Sequence, residues 1–421
     1  MVNRLSPTQH SIVEKRICKK ARDILHRLER ADHEAYLVGG AVRDLLLNHS
    51  PKDFDIATSA HPEEVKKIFP SCRLIGRRFR LAHIHYGREY LEVATFRAPH
   101  NESESGKTSE KGRIINDNVY GSMEEDALRR DFTINALFYD IQTGDVVDHA
   151  DGIDDLEKRE IRLIGDPETR YREDPVRMLR AIRFAIKLDF TIEATTEKPI
   201  YELGHLLKDI APARLFDETL KLFHSGNALK TFRMLRQYDL FQYLFPQTED
   251  SLLREENEDF LTFIETALKN TDKRIRSNFS VTPAFLFAVM LWDKTLEGFE
   301  RYRSDGQPEY QSMQLSASDV IGLQAKSTAV PRRFSNVSRD IWLLQARFRR
   351  KDCRAVFSFI EHKRFRAAYD FFCLRARSGH LPVEDCEWWT EFQTLTHDEQ
   401  MEACQEFAAP KRRSNRRRKR K

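Results

Sequence analysis

The sequence lacks any apolar run long enough to cross a membrane. A spanning helix needs about 20 mostly apolar residues, whereas the longest apolar stretch, residues 284–292, is much shorter and predicts a buried helix. The N-terminus also lacks the basic start and apolar centre of a secretion signal. These absences predict a soluble, cytoplasmic protein without a membrane span.

Cysteine is scarce, and its spacing is not that of a zinc site. The six cysteines are scattered along the chain without the close pairs that bind zinc. This usage is typical of reduced thiols in a cytosolic protein. We therefore expect free thiols, some of them in the core, at Cys18, Cys72, Cys353, Cys373, Cys386 and Cys404.

Composition and charge indicate a large soluble protein with a basic end. Apolar residues make up 40% of the chain and charged residues 32%, and a length of 421 residues suggests two to four domains. The net charge is only +4, but nine of the eleven residues in 411–421 are Lys or Arg. We expect this block to be disordered and to attract a polyanion such as nucleic acid. The alternative is a solubilising tail without a specific role.

A short apolar run near the start of the chain ends in two glycines. Residues 36–44 have the sequence Tyr-Leu-Val-Gly-Gly-Ala-Val-Arg-Asp, which predicts a strand, a tight turn and the start of a helix. Gly39 and Gly40 would let the backbone approach a ligand closely, and the first N–H groups of a helix favour an anion. The pattern predicts a phosphate site.

Two carboxylates follow the glycines. Asp53 and Asp55 stand two residues apart, so on a strand both side chains would point to one face. Paired carboxylates bind Mg²⁺ while the ion also contacts substrate phosphates. A lone Asp-x-Asp would indicate a solvated turn, but the two motifs in this order predict nucleotidyl transfer.

Residues 129–137 (Arg-Arg-Asp-Phe-Thr-Ile-Asn-Ala-Leu) form a third informative segment. Its two adjacent arginines could hold triphosphate oxygens. Asp131 could support the metal pair or orient an arginine, and Asn135 would share a helical face with it. The alternative is a charged helix start with Asp131 as a simple cap.

Residues 173–184 (Glu-Asp-Pro-Val-Arg-Met-Leu-Arg-Ala-Ile-Arg-Phe) form a fourth. They predict a helix that begins at Asp174, which a proline follows. Arg177, Arg180 and Arg183 would form one polar stripe. An Asp and an Arg at the helix start offer an acceptor and donors that could recognise the edge of a base. The alternative is a surface stripe of salt bridges.

Glu92 is a further candidate carboxylate. Residues 91–97 alternate as a strand does, and a charge in a central strand is costly unless it is paired or bound to metal. A supporting role at the active site and a place on an exposed sheet face are equally open.

Periodicity divides the chain into a mixed α/β part and a helical part. Strands are predicted at 35–38, 53–57, 81–86, 90–97 and 145–148, with a short helix at 62–69, a flexible loop at 100–112 and an N-terminal helix within 1–30. Further helices are predicted at 174–188, 212–224, 226–245, 256–270, 283–293, 338–349, 351–361 and 363–377.

The four motifs, in this order, resemble the signature of the class II nucleotidyltransferases, which include the tRNA CCA-adding enzymes and the bacterial poly(A) polymerases. Asn48 stands where the family usually has Gly, but Asn tolerates a left-handed backbone, so we expect the turn to survive. The chain is more similar to the poly(A) polymerases in the basic tail and in residues 77–83, 170–180, 283–288 and 365–370.

The resemblance implies an α/β nucleotidyltransferase head with a mixed sheet, followed by mostly α-helical neck, body and tail domains. The limits we expect are an N-terminal helical segment 1–30, head 31–160, neck 161–225 for base recognition and RNA binding, body 226–350, tail domain 351–410 and disordered basic tail 411–421.

The resemblance also implies roles for the site residues. Asp53 and Asp55 would bind the catalytic metal, Mg²⁺ or Mn²⁺, and Asp131 would be a third catalytic residue. Asp174 and Arg177 would contact the incoming base. The residues expected to bind the ATP substrate are Gly39, Gly40, Arg43, Arg130, Asp174, Arg177, Arg180 and Arg183.

We therefore expect a template-independent polymerase that adds AMP from ATP to RNA 3′ ends and releases pyrophosphate. Its RNA partners would be mRNA, small RNA and decay intermediates, with RNA-decay proteins as further partners. The first alternative is a tRNA CCA-adding enzyme, which also needs CTP and stops after three nucleotides. The second is an inactive RNA-binding protein on the same scaffold, against which the intact carboxylate pair argues.

Overall fold

Eight of the ten strands in the N-terminal half of the chain form one mixed sheet. The computed structural model describes residues 2–76, 80–98, 119–254 and 258–407. The strands are β1 (Asn3–Leu5), β2 (Ala35–Val38), β3 (Asp55–Thr58), β4 (Cys72–Ile75), β5 (Leu81–Tyr86), β6 (Glu89–Thr95), β7 (Leu137–Asp140), β8 (Val146–Asp148), β9 (Glu160–Ile161) and β10 (Thr191–Ile192).

The order of strands brings three sequence motifs to one end of the sheet. The large sheet runs β1-β8-β7-β2-β3-β6-β5-β4, with β3 and β6 parallel, and β9 and β10 form a separate pair. Val38 is paired with Asp55 across β2 and β3. The parallel register sets Glu92 of β6 level with Asp55. The glycine turn after β2, the start of β3 and Glu92 therefore lie close together.

Eight helices accompany the sheet in the first compact unit, Met1–Asp209. They are α1 (Lys19–Glu29), α2 (Gly40–Leu46), α3 (Pro62–Ile68), α4 (Met123–Arg129), α5 (Gly152–Lys158), α6 (Pro167–Glu173), α7 (Val176–Leu188) and α8 (Ala194–Leu203), with short 3-10 helices at Glu14–Arg16, Thr133–Asn135 and Gly204–Asp209. A buried apolar cluster holds β2, β3, β7, β8 and α4 together: Val38, Ala57, Phe96, Ala127, Ala136, Phe138, Val147 and Ile164.

The second compact unit, Ile210–Lys421, is helical in its described part. Its helices are α9 (Pro212–Phe223), α10 (Ala228–Gln237), α11 (Phe241–Leu244), α12 (Pro246–Leu252), α13 (Glu258–Arg276), α14 (Pro283–Met290), α15 (Trp292–Ser304), α16 (Glu309–Ser327), α17 (Arg332–Leu343), α18 (Cys353–Ile360), α19 (Phe365–Arg377), α20 (Val383–Phe392) and α21 (His397–Gln405), with a 3-10 helix at Gln345–Arg349. In the described ranges, no helix has both the length and the apolar character that a membrane span requires.

The predicted fold class, an α/β head followed by a mostly helical remainder, is confirmed. Several details are wrong, and three of them change the course of the chain. Residues 3–5 form β1, which pairs with β8, instead of extending the N-terminal helix. The helix predicted at 226–245 is divided because Asp239 has a left-handed backbone, with φ 56°. The helix predicted at 283–293 ends at Met290, and a new helix begins at Trp292.

Asn48 has the left-handed backbone that was predicted for it, with φ 58°. The turn after α2 therefore forms without the usual glycine. The predictions for the loop 100–112, for the basic tail 411–421 and for residues 77–79 of the segment 77–83 lie outside the described residues.

The prediction of free thiols is wrong for four of the six cysteines. Cys353 is joined to Cys404 and Cys373 to Cys386, while Cys18 and Cys72 are free. The paired residues are 51 and 13 positions apart in the sequence. They meet because α18, α19, α20 and α21 pack around one aromatic core, an arrangement that spacing alone does not show.

Candidate active site

Asp55 is the first residue of β3, and Asp53 lies in the segment just before the strand. The prediction that both carboxylates lie on one strand is therefore wrong for Asp53. The two groups are still close enough to interact, because the charge of Asp53 raises the pKa of Asp55. The predicted pair is present, but the chain before the strand positions its first member.

The pKa of Asp55 is raised to about 6. The largest cause is partial desolvation, followed by the negative charges of Glu92 and Asp53, and Arg130 acts in the opposite direction. Ionised carboxylates that raise one another's pKa lack enough positive charge nearby. A divalent cation would supply that charge, so these residues fit a metal site.

The protein alone does not complete a metal cage in the described part of the chain. No group of three or more His, Cys, Asp or Glu residues there is arranged to hold an ion. Mg²⁺ is commonly held by one or two carboxylates, with substrate phosphates and water as its other ligands. The pair Asp53 and Asp55 meets that description.

Glu92 lies on β6 opposite His83, and the two side chains are 3.4 Å apart. The charge of Glu92 raises the pKa of Asp55, so Glu92 lies near the end of the sheet where Asp53 and Asp55 are found. This position favours the supporting role over the exposed-face alternative. The parallel pairing of β3 and β6 places Glu92 beside Asp55, and no local pattern predicted that pairing. A role for Glu92 at the active site stays a prediction.

The predicted strand, turn and helix at Gly39 and Gly40 are confirmed. Gly39 has φ 66°, and its N–H donates to the carbonyl of Leu137 at 3.0 Å. A Cβ at Gly39 would lie 3.3 Å from Nη1 of Arg130. The glycine is therefore needed for a left-handed turn and for the close approach of an arginine. Arg130 also lowers the pKa of Asp55, so this guanidinium lies between the turn and the carboxylates.

Arg43 is buried, and its guanidinium is bonded within the protein. Its Nε and Nη2 donate to Oδ1 of Asp44 at 2.9 and 2.6 Å, and its Nη1 donates to Oδ1 of Asn135 at 2.5 Å. Contact between Arg43 and a phosphate stays a prediction. The observed bonds show that Arg43 connects α2 to the segment that contains Asp131.

Asp131 forms an ion pair with Arg180 of α7. Nε and Nη2 of Arg180 lie 2.6 and 2.5 Å from Oδ2 of Asp131. Burial alone would raise the pKa of Asp131, but the guanidinium and the hydrogen bonds from Phe132 N and Asn135 Nδ2 lower it below its ordinary value. Asp131 thus orients an arginine, one of the two roles suggested by the sequence.

The helix predicted around Asp131 is not present. Helix α4 ends at Arg129, and Asn135 belongs to a separate 3-10 helix. The expected proximity nevertheless holds, because Nδ2 of Asn135 donates to Oδ1 of Asp131 at 3.3 Å. The chain bends between α4 and the 3-10 helix, and this bend, instead of a regular helical face, brings the two side chains together.

The contacts of α7 with the head form a continuous polar network. Nζ of Lys187 lies 3.3 Å from Oδ2 of Asp44. Arg180, which is seven residues before Lys187 on α7, forms an ion pair with Asp131. The network consists of Asp44, Arg43, Asn135, Asp131, Arg180 and Lys187. Helix α7 is therefore attached to the head at two points.

Arg177 is held at the junction of α6 and α7. Its Nη1 donates to the carbonyl of Arg170 at 2.6 Å and to Glu173 at 2.9 Å. Arg170 in turn donates to the carbonyl oxygens of Arg129 and Arg130. The predicted start at Asp174 is two residues early, since α7 begins at Val176. Recognition of a base by Asp174 and Arg177 stays a prediction.

Phe184 is a site residue that the sequence reasoning missed. The guanidinium carbons of Arg183, Arg43 and Arg180 lie 4.7, 5.3 and 5.4 Å from its ring centroid. Such distances are those of cation–π contacts. The spacing of four between Arg180 and Phe184 was a usable signal for one of these contacts. Two of the three arginines of the stripe thus pack on one buried ring.

A mixed sheet with a glycine turn and paired carboxylates at one end has the arrangement of a nucleotidyltransferase head. Comparison with known families agrees with this class. Residues 35–162 match the Poly A polymerase head domain, residues 189–252 the probable RNA and SrmB-binding site of polymerase A, and residues 305–421 the polymerase A arginine-rich C-terminus.

Comparison with individual proteins shows to which family of nucleotidyltransferases the chain is most similar over its length. The chain is 47% identical to poly(A) polymerase I of Salmonella typhimurium, over 98% of this chain and 91% of that protein. It is 43% identical to the CCA-adding enzyme of Lactobacillus helveticus, but over only 51% of this chain and 52% of that enzyme. The crystal structure of the Bacillus stearothermophilus CCA-adding enzyme in complex with CTP has a TM-score of 0.59 at 26% identity and covers 93% of this chain and 89% of that one. The chain belongs to the poly(A) polymerase family.

Proposed function

We propose that this protein is a template-independent polymerase that adds AMP from ATP to RNA 3′ ends. The observation that carries the proposal is the 47% identity to a poly(A) polymerase I over 98% of the chain, together with the carboxylates at the end of the sheet. Identity to a CCA-adding enzyme covers only about half of the chain. The reaction would take place in the cytoplasm, on mRNA, small RNA and decay intermediates, with RNA-decay proteins as partners.

Asp53 and Asp55 would hold Mg²⁺, or Mn²⁺ in its place. The bound ion would neutralise phosphate charge and lower the pKa of the attacking 3′-hydroxyl, which displaces pyrophosphate from the α-phosphate of ATP. Arg130, beside Gly39 and acting on Asp55, would bind triphosphate oxygens. Gly39 and Gly40 leave room there for the backbone to approach the phosphates.

Asp131 and α7 would position the nucleotide. Asp131 acts through Arg180, which it holds in one orientation, and Arg183 and Arg180 share the ring of Phe184. Asp174 and Arg177 would face the base edge from the start of the helix. Because α7 is joined to the head at two points, the base-recognising residues and the phosphate site would keep a fixed separation.

Incubation with a short labelled RNA and each nucleoside triphosphate in turn tests the proposal. We expect a long ladder of products with ATP and little extension with CTP, GTP or UTP. Products that need CTP and end after three additions would identify a CCA-adding enzyme. Absence of any extension with Mg²⁺ and with Mn²⁺ would support the inactive RNA-binding alternative.

The choice of nucleotide should depend on Asp174 and Arg177. We expect Asp174→Ala and Arg177→Ala to lower the ratio of ATP to CTP incorporation by roughly 5- to 100-fold, because a good contact to a base edge discriminates by about 1–3 kcal/mol. Arg172→Ala is the matched control, since Arg172 is exposed and forms an ion pair with Glu168 on α6. An unchanged ratio with a uniform loss of rate would give both residues a structural role.

A further inference from the structure

A cavity of about 640 Å³ lies within the second unit, and none of its lining residues belongs to the proposed active site. Its walls come from α15, α16, α17, α19, α20 and the 3-10 helix Gln345–Arg349. Pockets for small ligands commonly measure about 300–1,000 Å³. The cavity therefore has room for one nucleotide.

The guanidinium of Arg375 lines the cavity, and it forms no ion pair with any carboxylate in the described part of the chain. It lies 4.6 Å from the ring centroid of Trp292, and its Nη1 donates to Oε1 of Gln345 at 3.2 Å. Among the described residues, its Nε and Nε1 of Trp292 have no hydrogen-bond partner. Burial, and then the charge of Arg349, lower the pKa of Arg375 to about 10, and no carboxylate opposes them. An acceptor atom of a ligand would compensate this buried charge.

Aromatic side chains form much of the remaining wall. Trp292, Phe348 and Phe372 are buried there, whereas Tyr310 is 62% exposed. Tyr310 and the guanidinium of Arg375 line the same cavity, and unstacked nucleobases of single-stranded RNA are bound on aromatic rings and guanidinium groups. The cavity therefore suits a planar base with acceptor atoms better than an aliphatic ligand.

The charges at the rim favour a base over a free phosphate. Glu309 is paired with Arg349 at 3.0 Å, and Asp385 with Lys351 at 2.8 Å. Glu300 also lines the cavity and would repel a compact anion. A base carries its acceptor atoms without a full charge, so only its phosphodiester needs to remain near the solvent.

The last described residue of the chain, Phe407, lies close to a residue at this rim. Lys351, the partner of Asp385, lies 5.4 Å from the ring centroid of Phe407, which is the last described residue. The basic block begins only four residues later, at Lys411. Lys and Arg residues of this block would attract RNA through its phosphates.

We propose that this cavity binds one unpaired nucleotide of the RNA strand, with its base against the aromatic wall at Tyr310 and an acceptor atom facing Arg375. The identity of the ligand rests on the proposed function, because a polymerase that makes poly(A) would present adenine nucleotides. The site would hold a nucleotide of the strand other than the reacting 3′ end. It would contribute affinity for RNA without taking part in chemistry.

Variants of the full-length protein test this site. Tyr310→Ala changes an exposed residue, so it should fold, and we expect it to weaken binding of a 15-nucleotide oligoadenylate roughly 10-fold, as removal of one stacked base does. The KM for this RNA should rise by a similar factor, with kcat at saturating RNA unchanged. Phe279→Ala is the matched control, because Phe279 is 64% exposed and does not line the cavity. Its RNA affinity should stay within twofold of wild type.

A second pair of measurements keeps the outcome clear. Arg375→Lys retains the positive charge but not the guanidinium, and we expect this variant to bind RNA more weakly than wild type. Thermal unfolding of the same variant checks that it is folded. Oligoadenylate that contains 2-aminopurine should show fluorescence quenching with wild type and less with Tyr310→Ala. If Tyr310→Ala leaves both the RNA affinity and the KM for RNA unchanged, the proposed site is wrong, even if free AMP binds there. Failure of the proposed function is distinct, because wild-type protein would then not extend RNA at all.

Discussion

Replacement of Asp55 by Asn is expected to abolish AMP incorporation and, at about pH 8 without metal, to stabilise the protein. The variant loses a hard oxygen ligand, and the triphosphate charge is then poorly neutralised. We expect kcat to fall by at least about 100-fold, the scale of losing one strong electrostatic contact in a transition state. Asp53→Ala should cause a similar loss. Activity above about a tenth of wild type would show that the metal assignment is wrong.

The stabilisation follows from the direction of the pKa shift. The pKa of Asp55 is raised from 3.8 to about 6 in the folded protein. The favourable contribution of the protonated group is complete below pH 3.8 and is lost as the pH rises through 6. Since Asp55 is exposed to solvent, we discount the shift and expect a gain of about 1 kcal/mol from Asn at alkaline pH.

Thermal unfolding in EDTA at two pH values measures this effect. Asp55→Asn should unfold at a higher temperature than wild type at about pH 8 and at the same temperature near pH 4. Asp305→Asn serves as the control, because Asp305 is an exposed carboxylate in the second unit. Added Mg²⁺ should stabilise wild type and the control but not Asp55→Asn. Equal stability of all three at both pH values would contradict the crowding of carboxylates at this end of the sheet.

Loss of Asp131 is expected to destabilise the protein by about 2 kcal/mol, because removal of one partner from a partly buried ion pair leaves the other charge uncompensated. The carboxylate accepts bonds from Arg180, Phe132 N and Asn135. Its pKa is lowered in the folded protein, so its contribution is present above the unfolded pKa of about 4 and is lost as the pH falls through the folded value.

A double-mutant cycle isolates this interaction. Urea unfolding of Asp131→Asn, Arg180→Gln and the combined variant at neutral pH should give a coupling energy of at least about 1 kcal/mol. The same cycle on the exposed pair Glu168 and Arg172 should give less than about 0.5 kcal/mol. Because Asp131 acts through Arg180, Asp131→Asn should raise KM for ATP while leaving the Mg²⁺ dependence unchanged. A shifted Mg²⁺ dependence would make Asp131 a metal ligand instead.

Much of the head could be predicted because its signals are local. The glycines after β2, the Asp-x-Asp pair and the helix after Asp174 each occupy a few consecutive residues, and local patterns set turns and helix starts. The strands β1 and β7 were missed, because three or four residues without a clear alternation of apolar and polar side chains give little signal.

The contacts that complete the site could not be predicted, since they join distant residues. Asp131 and Arg180 are 49 positions apart, and Arg43 and Asn135 are 92 apart. No period or spacing relates such pairs, and their partners are fixed only when α2, α7 and the 3-10 helix pack together. The disulfides of the second unit could not be predicted either, because their cysteines meet only when separate helices pack together.

The two attachments of α7 restrict the changes in length that this helix can accept. Arg180 and Lys187 are seven residues apart, or nearly two complete turns, so both point to the head from one face. One inserted or deleted residue between them would rotate the second attachment by about 100°. Either the ion pair at Asp131 or the one at Asp44 would then break. Substitutions can change the chemistry of this helix, but its register is fixed by the head to which it is bound.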